Sequence, residues 1–151
     1  MSKPVLFVLI AAVVLTLAAC GGGGGGAQST AAGGGGAAAQ GNVSNGDKLF
    51  HQASLGQNNA PGCATCHATE AGKTLVGPTM ANISGEAAEI VQSDNYKGKA
   101  QDATAYVHES IVDPNIYVAE GFSPGIMYQN YGKDLSEGDI NDLVAYLTSL
   151  K

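Results

Sequence analysis

Cys63-Ala64-Thr65-Cys66-His67 is the stretch on which the reading of this chain turns. Two thiols separated by two residues on one tight turn can reach the two vinyl groups on one edge of a porphyrin. The residue that follows then offers its imidazole to the iron beneath the ring. A C-x-x-C-H run therefore reads as a c-type haem attachment site, and Ala64 and Thr65 are small enough not to obstruct a ring lying against the turn. Three other readings compete. A redox dithiol wants a βαβ context, and no strand pattern surrounds the motif. Zinc wants four ligands, with only His51 and His108 to complete a site. A plain disulfide leaves His67 unexplained. With a single such motif in the chain, one haem is expected.

Outward from the motif, helix signals dominate. Upstream, Gly46-Asp47-Lys48-Leu49-Phe50 reads as an N-terminal helical stretch. Downstream, a helix is expected over Ala103–Ile111, begun near Asp102 and stopped before Pro114. The best-marked helix is the last. Leu135-Ser136-Glu137-Gly138-Asp139-Ile140 supplies an N-cap serine, an acidic residue at N3 and an apolar pair at N′ and N4. Ile140, Leu143, Val144 and Leu147 then follow helical spacing. Between these helices lie Gly77-Pro78 and the Gly/Pro-punctuated loop Gly121-Phe122-Ser123-Pro124-Gly125-Ile126-Met127, followed by Asn130-Tyr131-Gly132.

Taken together, these residues resemble class I cytochrome c, the all-α family in which a small helical domain wraps one covalent haem held by His and Met. The resemblance covers nearly all of residues 43–151. It implies that Cys63 and Cys66 form the thioethers, that His67 is the proximal ligand, and that the Pro78 carbonyl accepts a hydrogen bond from the His67 Nδ1–H. It also implies that the first and last helices cross, with Gly46 and Phe50 meeting Tyr146. Met80, Met127, His51 and His108 compete for the sixth position. Met127 is the choice, because its loop matches the one in which the family carries its axial methionine. One departure is local: related loops read Met-Pro, whereas Tyr128 follows Met127 here. Tyr117, Tyr128 and Tyr131 are candidates to line the haem crevice or to pack the core. Aromatic residues make up only 6% of the chain, so the haem is expected to supply much of the core and the domain to fold poorly without it.

The N-terminal part carries a different message. Met1–Lys3 give a positive start, and Pro4–Ala19 form an uncharged apolar run. That run falls short of the ~20 residues that span a bilayer comfortably, and reads as the core of a secretory signal. It ends in Leu17-Ala18-Ala19-Cys20, which resembles the lipobox of bacterial lipoproteins. That likeness implies a signal peptide over 1–19 and a lipidated Cys20, two acyl chains being enough for stable anchoring. Half of the chain's 22 glycines then fall between Gly21 and Gly41. Such a segment cannot offset the entropy of ordering itself, so 20–42 is expected to be a flexible tether with an r.m.s. reach of about 25 Å.

The folded part, 43–151, holds all 13 acidic residues and no arginine. Nucleic-acid binding, which needs a basic footprint, is thereby disfavoured; an acidic surface suits a basic partner face or simple solubility. No Ser-His-Asp set, paired carboxylates or phosphate loop is present, and neither an enzymatic activity nor a small-molecule substrate is expected. The family resemblance implies a single-electron carrier on the outer, periplasmic face of a bacterial cytoplasmic membrane, working with respiratory redox proteins such as an oxidase or a quinol-oxidising complex. The alternatives are a permanent electron-transfer subunit of a larger complex, which the Ser110–Asn115 segment resembles, and a haem-based sensor with a labile sixth ligand.

Overall fold

A computed structural model describes residues 40–151 of the chain. The expected signal peptide, Cys20 and nearly all of the tether lie outside the described residues. The elements run α1 (Val43–His51), β1 (Ser54–Leu55), β2 (Ala60–Pro61), a single 3-10 turn (Cys63–Thr65), α2 (Ile83–Ile90), α3 (Ala103–Val112), α4 (Tyr131–Asp134) and α5 (Glu137–Ser149). The architecture is mostly helical; the expected all-α fold is modified by one short antiparallel hairpin, Ser54 opposite Pro61 and Leu55 opposite Ala60.

Helix boundaries follow local chemistry. Asn42 caps α1 by accepting from the Asn45 N–H at 2.9 Å, and Asp102 caps α3 by accepting from Ala105 N–H at 2.8 Å. At the start of α5 the Ser136 Oγ accepts from Asp139 N–H at 3.1 Å, and the Ser136 N–H donates to Asp139 Oδ2 at 3.2 Å. This capping box satisfies two donors that the first turn would otherwise leave unpaired. The flanking Leu135 and Ile140 are both buried.

The core forms where α1 and α5 cross. Helix α5 buries Ile140, Leu143, Val144, Tyr146 and Leu147, one helical stripe, while α1 buries Gly46 and Phe50. A Cβ on Gly46 would overlap the Asp142 carbonyl and lie 2.7 Å from Tyr146 Cβ, so the close crossing requires glycine. The Phe50 and Tyr146 rings pack at 5.5 Å between centroids. Two polar clips reinforce the crossing: Asp142 Oδ1 accepts from the Asn42 N–H at 2.6 Å, and Asp142 Oδ2 accepts from Asn45 Nδ2 at 2.5 Å. Helix α3 adds buried Tyr106, Val107 and Ile111, and α2 adds Ile83 and Ala87. Among the described residues no helix is long and apolar enough to cross a membrane.

Candidate functional site

One largely apolar cleft is lined by Cys63, Cys66 and His67 on one chain segment, by Tyr106, Val107 and Ile111 of α3, and by Met127. The thiol segment is held by its own backbone. Thr65 N–H donates to Gly62 O at 3.1 Å, Cys66 N–H to Cys63 O at 3.1 Å and His67 N–H to Cys63 O at 3.0 Å. The Thr65 hydroxyl adds a bond to Gly62 O at 2.5 Å. This winds the five residues into one compact turn that presents both cysteines and the histidine to the cleft. Gly62 is in turn tied to the loop after α1 by its N–H donating to Ala53 O at 3.1 Å.

The imidazole of His67 is fixed from two sides. Its Nδ1 lies 2.9 Å from the Pro78 carbonyl. A carbonyl only accepts, so Nδ1 carries the proton and Nε2 keeps a free lone pair. Gly77 seats against the ring, where a Cβ would stand 2.5 Å from Cε1 and 2.9 Å from Nδ1. The loop bearing both residues is laced back to the motif through Gly77 N–H to Cys66 O at 2.9 Å. Burial holds the His67 pKa below its usual value, against the opposing pull of the bond to Pro78. The ring is therefore neutral near pH 7, as a metal ligand must be.

Cys63 and Cys66 are both unpaired thiols. Burial pushes the Cys63 thiol up to about 11, a smaller backbone hydrogen bond pulling the other way and nearby Cys66 adding slightly. A reactive dithiol needs a depressed pKa, so the redox-dithiol reading does not suit this environment. Among the described residues no group of three or more His, Cys, Asp or Glu side chains could hold a metal ion, which leaves the zinc reading without a ligand set.

The remaining candidates separate by position. His51 is exposed, with Nδ1 2.9 Å from Asp47 O. His108 is half-exposed, with Nε2 3.4 Å from Glu137 Oε2, and neither histidine lines the cleft. Met80 and Met127 both do. The Met80 N–H donates to Ala68 O at 2.7 Å, so its backbone is strapped to the residue after His67, on the histidine's side of the chain path. Met127 comes from the separate loop between α3 and α4. Tyr117, Tyr128 and Tyr131 also reach the cleft, and the phenols of the last two are already committed to protein partners: Tyr131 donates to Pro61 O and Tyr128 to Asp134 Oδ2.

A covalent haem suits what is present. The cleft is apolar, it opens onto two free thiols and a correctly tautomerised imidazole, and the buried Ser110 Oγ on its α3 wall has no protein partner. Cys63 and Cys66 would carry the thioethers, and His67, whose Nε2 lone pair is left free by the Nδ1 bond to Pro78, would hold the iron. Asn58 and Asn115, which organise the neighbouring loops through side-chain hydrogen bonds, were not singled out in the sequence; no local motif marks them. No curated protein and no solved structure gives a significant match to this chain. A family model described as cytochrome c does match, over residues 43–151. The chain thus belongs to the cytochrome c family, a haem-based electron carrier whose domain binds haem c covalently.

Proposed function

We propose that this protein is a membrane-tethered carrier of single electrons, with one haem whose iron is held by His67 and Met127. Lipidation at Cys20 would place it on the outer face of the bacterial cytoplasmic membrane, where it would exchange electrons with a respiratory oxidase or quinol-oxidising complex. The haem supplies the one-electron couple, and a methionine thioether in the axial position raises its potential.

What supports the ligand set is one observation: His67 and Met127 line the same cleft from separate chain segments, while Met80 is strapped beside the histidine itself. The protein's own tasks are then limited. Pro78 and Gly77 orient the imidazole, the cysteines retain the cofactor, and the apolar walls from α3 keep water away from it. With both axial positions filled by side chains no site remains for a substrate, which favours outer-sphere transfer without bond chemistry.

Optical and redox titration of the haem-loaded protein tests the ligation. The wild type and Met80→Ala should show the far-red ferric band that marks methionine–iron ligation, and Met127→Ala should lose it and fall in potential. If Met80→Ala alone lost the band, the assignment would be wrong. For the tether, Cys20→Ala should release the protein from membranes; unchanged membrane retention would sink the lipoprotein reading.

A further inference from the structure

The loop that carries Met127 is closed by side-chain hydrogen bonds, and two of the residues that make them, Asn115 and Tyr128, also line the cleft. The Asn115 side chain lies across both arms of the loop: its Oδ1 accepts from Gly125 N–H at 2.8 Å and its Nδ2 donates to Gln129 Oε1 at 2.5 Å. Gln129 Nε2 passes the connection on, donating to the carbonyl of Met127 at 2.6 Å. Asn115 has a firm base for this, because it sits in a tight turn directly after α3, closed by Ile116 N–H to Asp113 O at 3.0 Å. Gly125 takes a φ of +77°, a conformation open to glycine that turns its N–H toward Asn115.

A second connection acts on the next residue. The Tyr128 hydroxyl donates to Asp134 Oδ2 at 2.5 Å, and Asn58 Nδ2 donates to Asp134 Oδ1 at 2.5 Å. Asp134 thereby links the loop to the segment between β1 and β2, and the Tyr128 and Tyr131 rings pack edge to face at 5.1 Å. A proline after Met127 would restrain the backbone by its ring. Here the restraint comes from a hydrogen bond.

We infer that Asn115 and Tyr128 are positioning residues that latch the Met127 loop shut, and so set how readily the methionine leaves the iron. The inference rests on Met127 being the axial ligand. An added ligand that replaces the methionine must open the loop, and its apparent affinity is reduced by the fraction of protein already open. Cutting a latch bond raises that fraction.

Imidazole is the probe, titrated into the ferric, haem-loaded protein while the far-red methionine band is followed. Each net hydrogen bond removed corresponds to about fivefold in equilibrium. Tyr128→Phe should therefore bind imidazole about fivefold more tightly than wild type, and Asn115→Ala about twenty-five-fold, since it loses two bonds and the factors multiply. Asn115→Asp keeps the acceptor for Gly125 N–H and loses the donor to Gln129, and should fall between. All three should retain the band before imidazole is added, and their thermal midpoints show that the fold is intact. If the band is present and imidazole affinity stays within twofold of wild type for Asn115→Asp and Tyr128→Phe, the latch is refuted while the ligation stands. A wild type with no methionine band overturns both.

Discussion

Gly46 of α1 and Asp142 of α5 meet backbone to backbone: a Cβ on the glycine would occupy the space of the aspartate carbonyl. Alanine at 46 would gain up to ~1 kcal/mol in helix propensity. That gain is outweighed, because the obstructing atoms belong to a helix backbone and cannot rotate away; overpacking of this kind costs about 1–3 kcal/mol. Gly46→Ala should therefore lower the thermal midpoint of the haem-loaded protein, at about 4–8 °C per kcal/mol for a domain near this size. A midpoint equal to or above wild type would show that the helices can part without loss.

The Asp142 carboxylate is held below its usual pKa by the Asn42 N–H, then by the Asn45 side chain, against a smaller opposing effect of burial. A depressed carboxylate stabilises the fold above its unfolded pKa, 3.8 as a reference, and that contribution disappears as pH falls through the lower, folded value. Asp142→Asn should therefore destabilise the protein at pH 7, with the gap from wild type closing below about pH 4. Urea unfolding midpoints at the two pH values measure it. A gap that widened in acid would contradict the hydrogen-bonding account.

Two of the helix starts with side-chain caps were readable from the sequence, while the Asn42 cap of α1 was not. Asp102 and the Ser136–Asp139 box each announce a helix, and α3 and α5 begin where those residues place them. Helix α2 was missed for a physical reason: it starts from Asn82 in a left-handed conformation with no side-chain cap, and buries only Ile83 and Ala87. The two-residue strands are too short to display alternation, and α4 is a single turn. At the site, Cys63, Cys66 and His67 fall within five consecutive residues, so their motif is legible without any tertiary information. The Asn58–Asp134 and Asn115–Gly125 bonds join residues 76 and 10 positions apart, and neither pair has a local signature.

Tyr131 supports the haem motif from α4. Its hydroxyl donates to Pro61 O, just ahead of Gly62, and burial, with the neighbouring cysteines adding, pushes the phenol pKa up so that it stays a donor. Tyr131→Phe removes the donor and leaves the ring packing intact. The expected loss is about 1 kcal/mol of stability, read in thermal unfolding, with the haem spectrum and the reduction potential unchanged. A change in the spectrum would mean that the hydroxyl also governs the haem's surroundings.

Gly77 offers the sharpest separation of haem attachment from haem electronics. The residue lies against the His67 ring, so an added methyl group pushes on Cε1 and Nδ1 while leaving Cys63 and Cys66 untouched. Gly77→Ala should still mature with haem bound through both thioethers, giving a product that keeps its colour after denaturation. The displaced imidazole, however, can no longer keep its 2.9 Å bond to Pro78, and that bond fixes the ring's orientation and, on the proposed ligation, would set its basicity toward the iron. The reduction potential should shift, and stability should drop by about 1–3 kcal/mol from the forced overlap. Pro78→Ala provides the contrast: position 78 keeps its carbonyl, so the hydrogen bond can persist and the potential should move less than in Gly77→Ala. Equal potentials for wild type and Gly77→Ala, with attachment intact, would show that the glycine is a passive spacer and that the histidine is oriented from elsewhere.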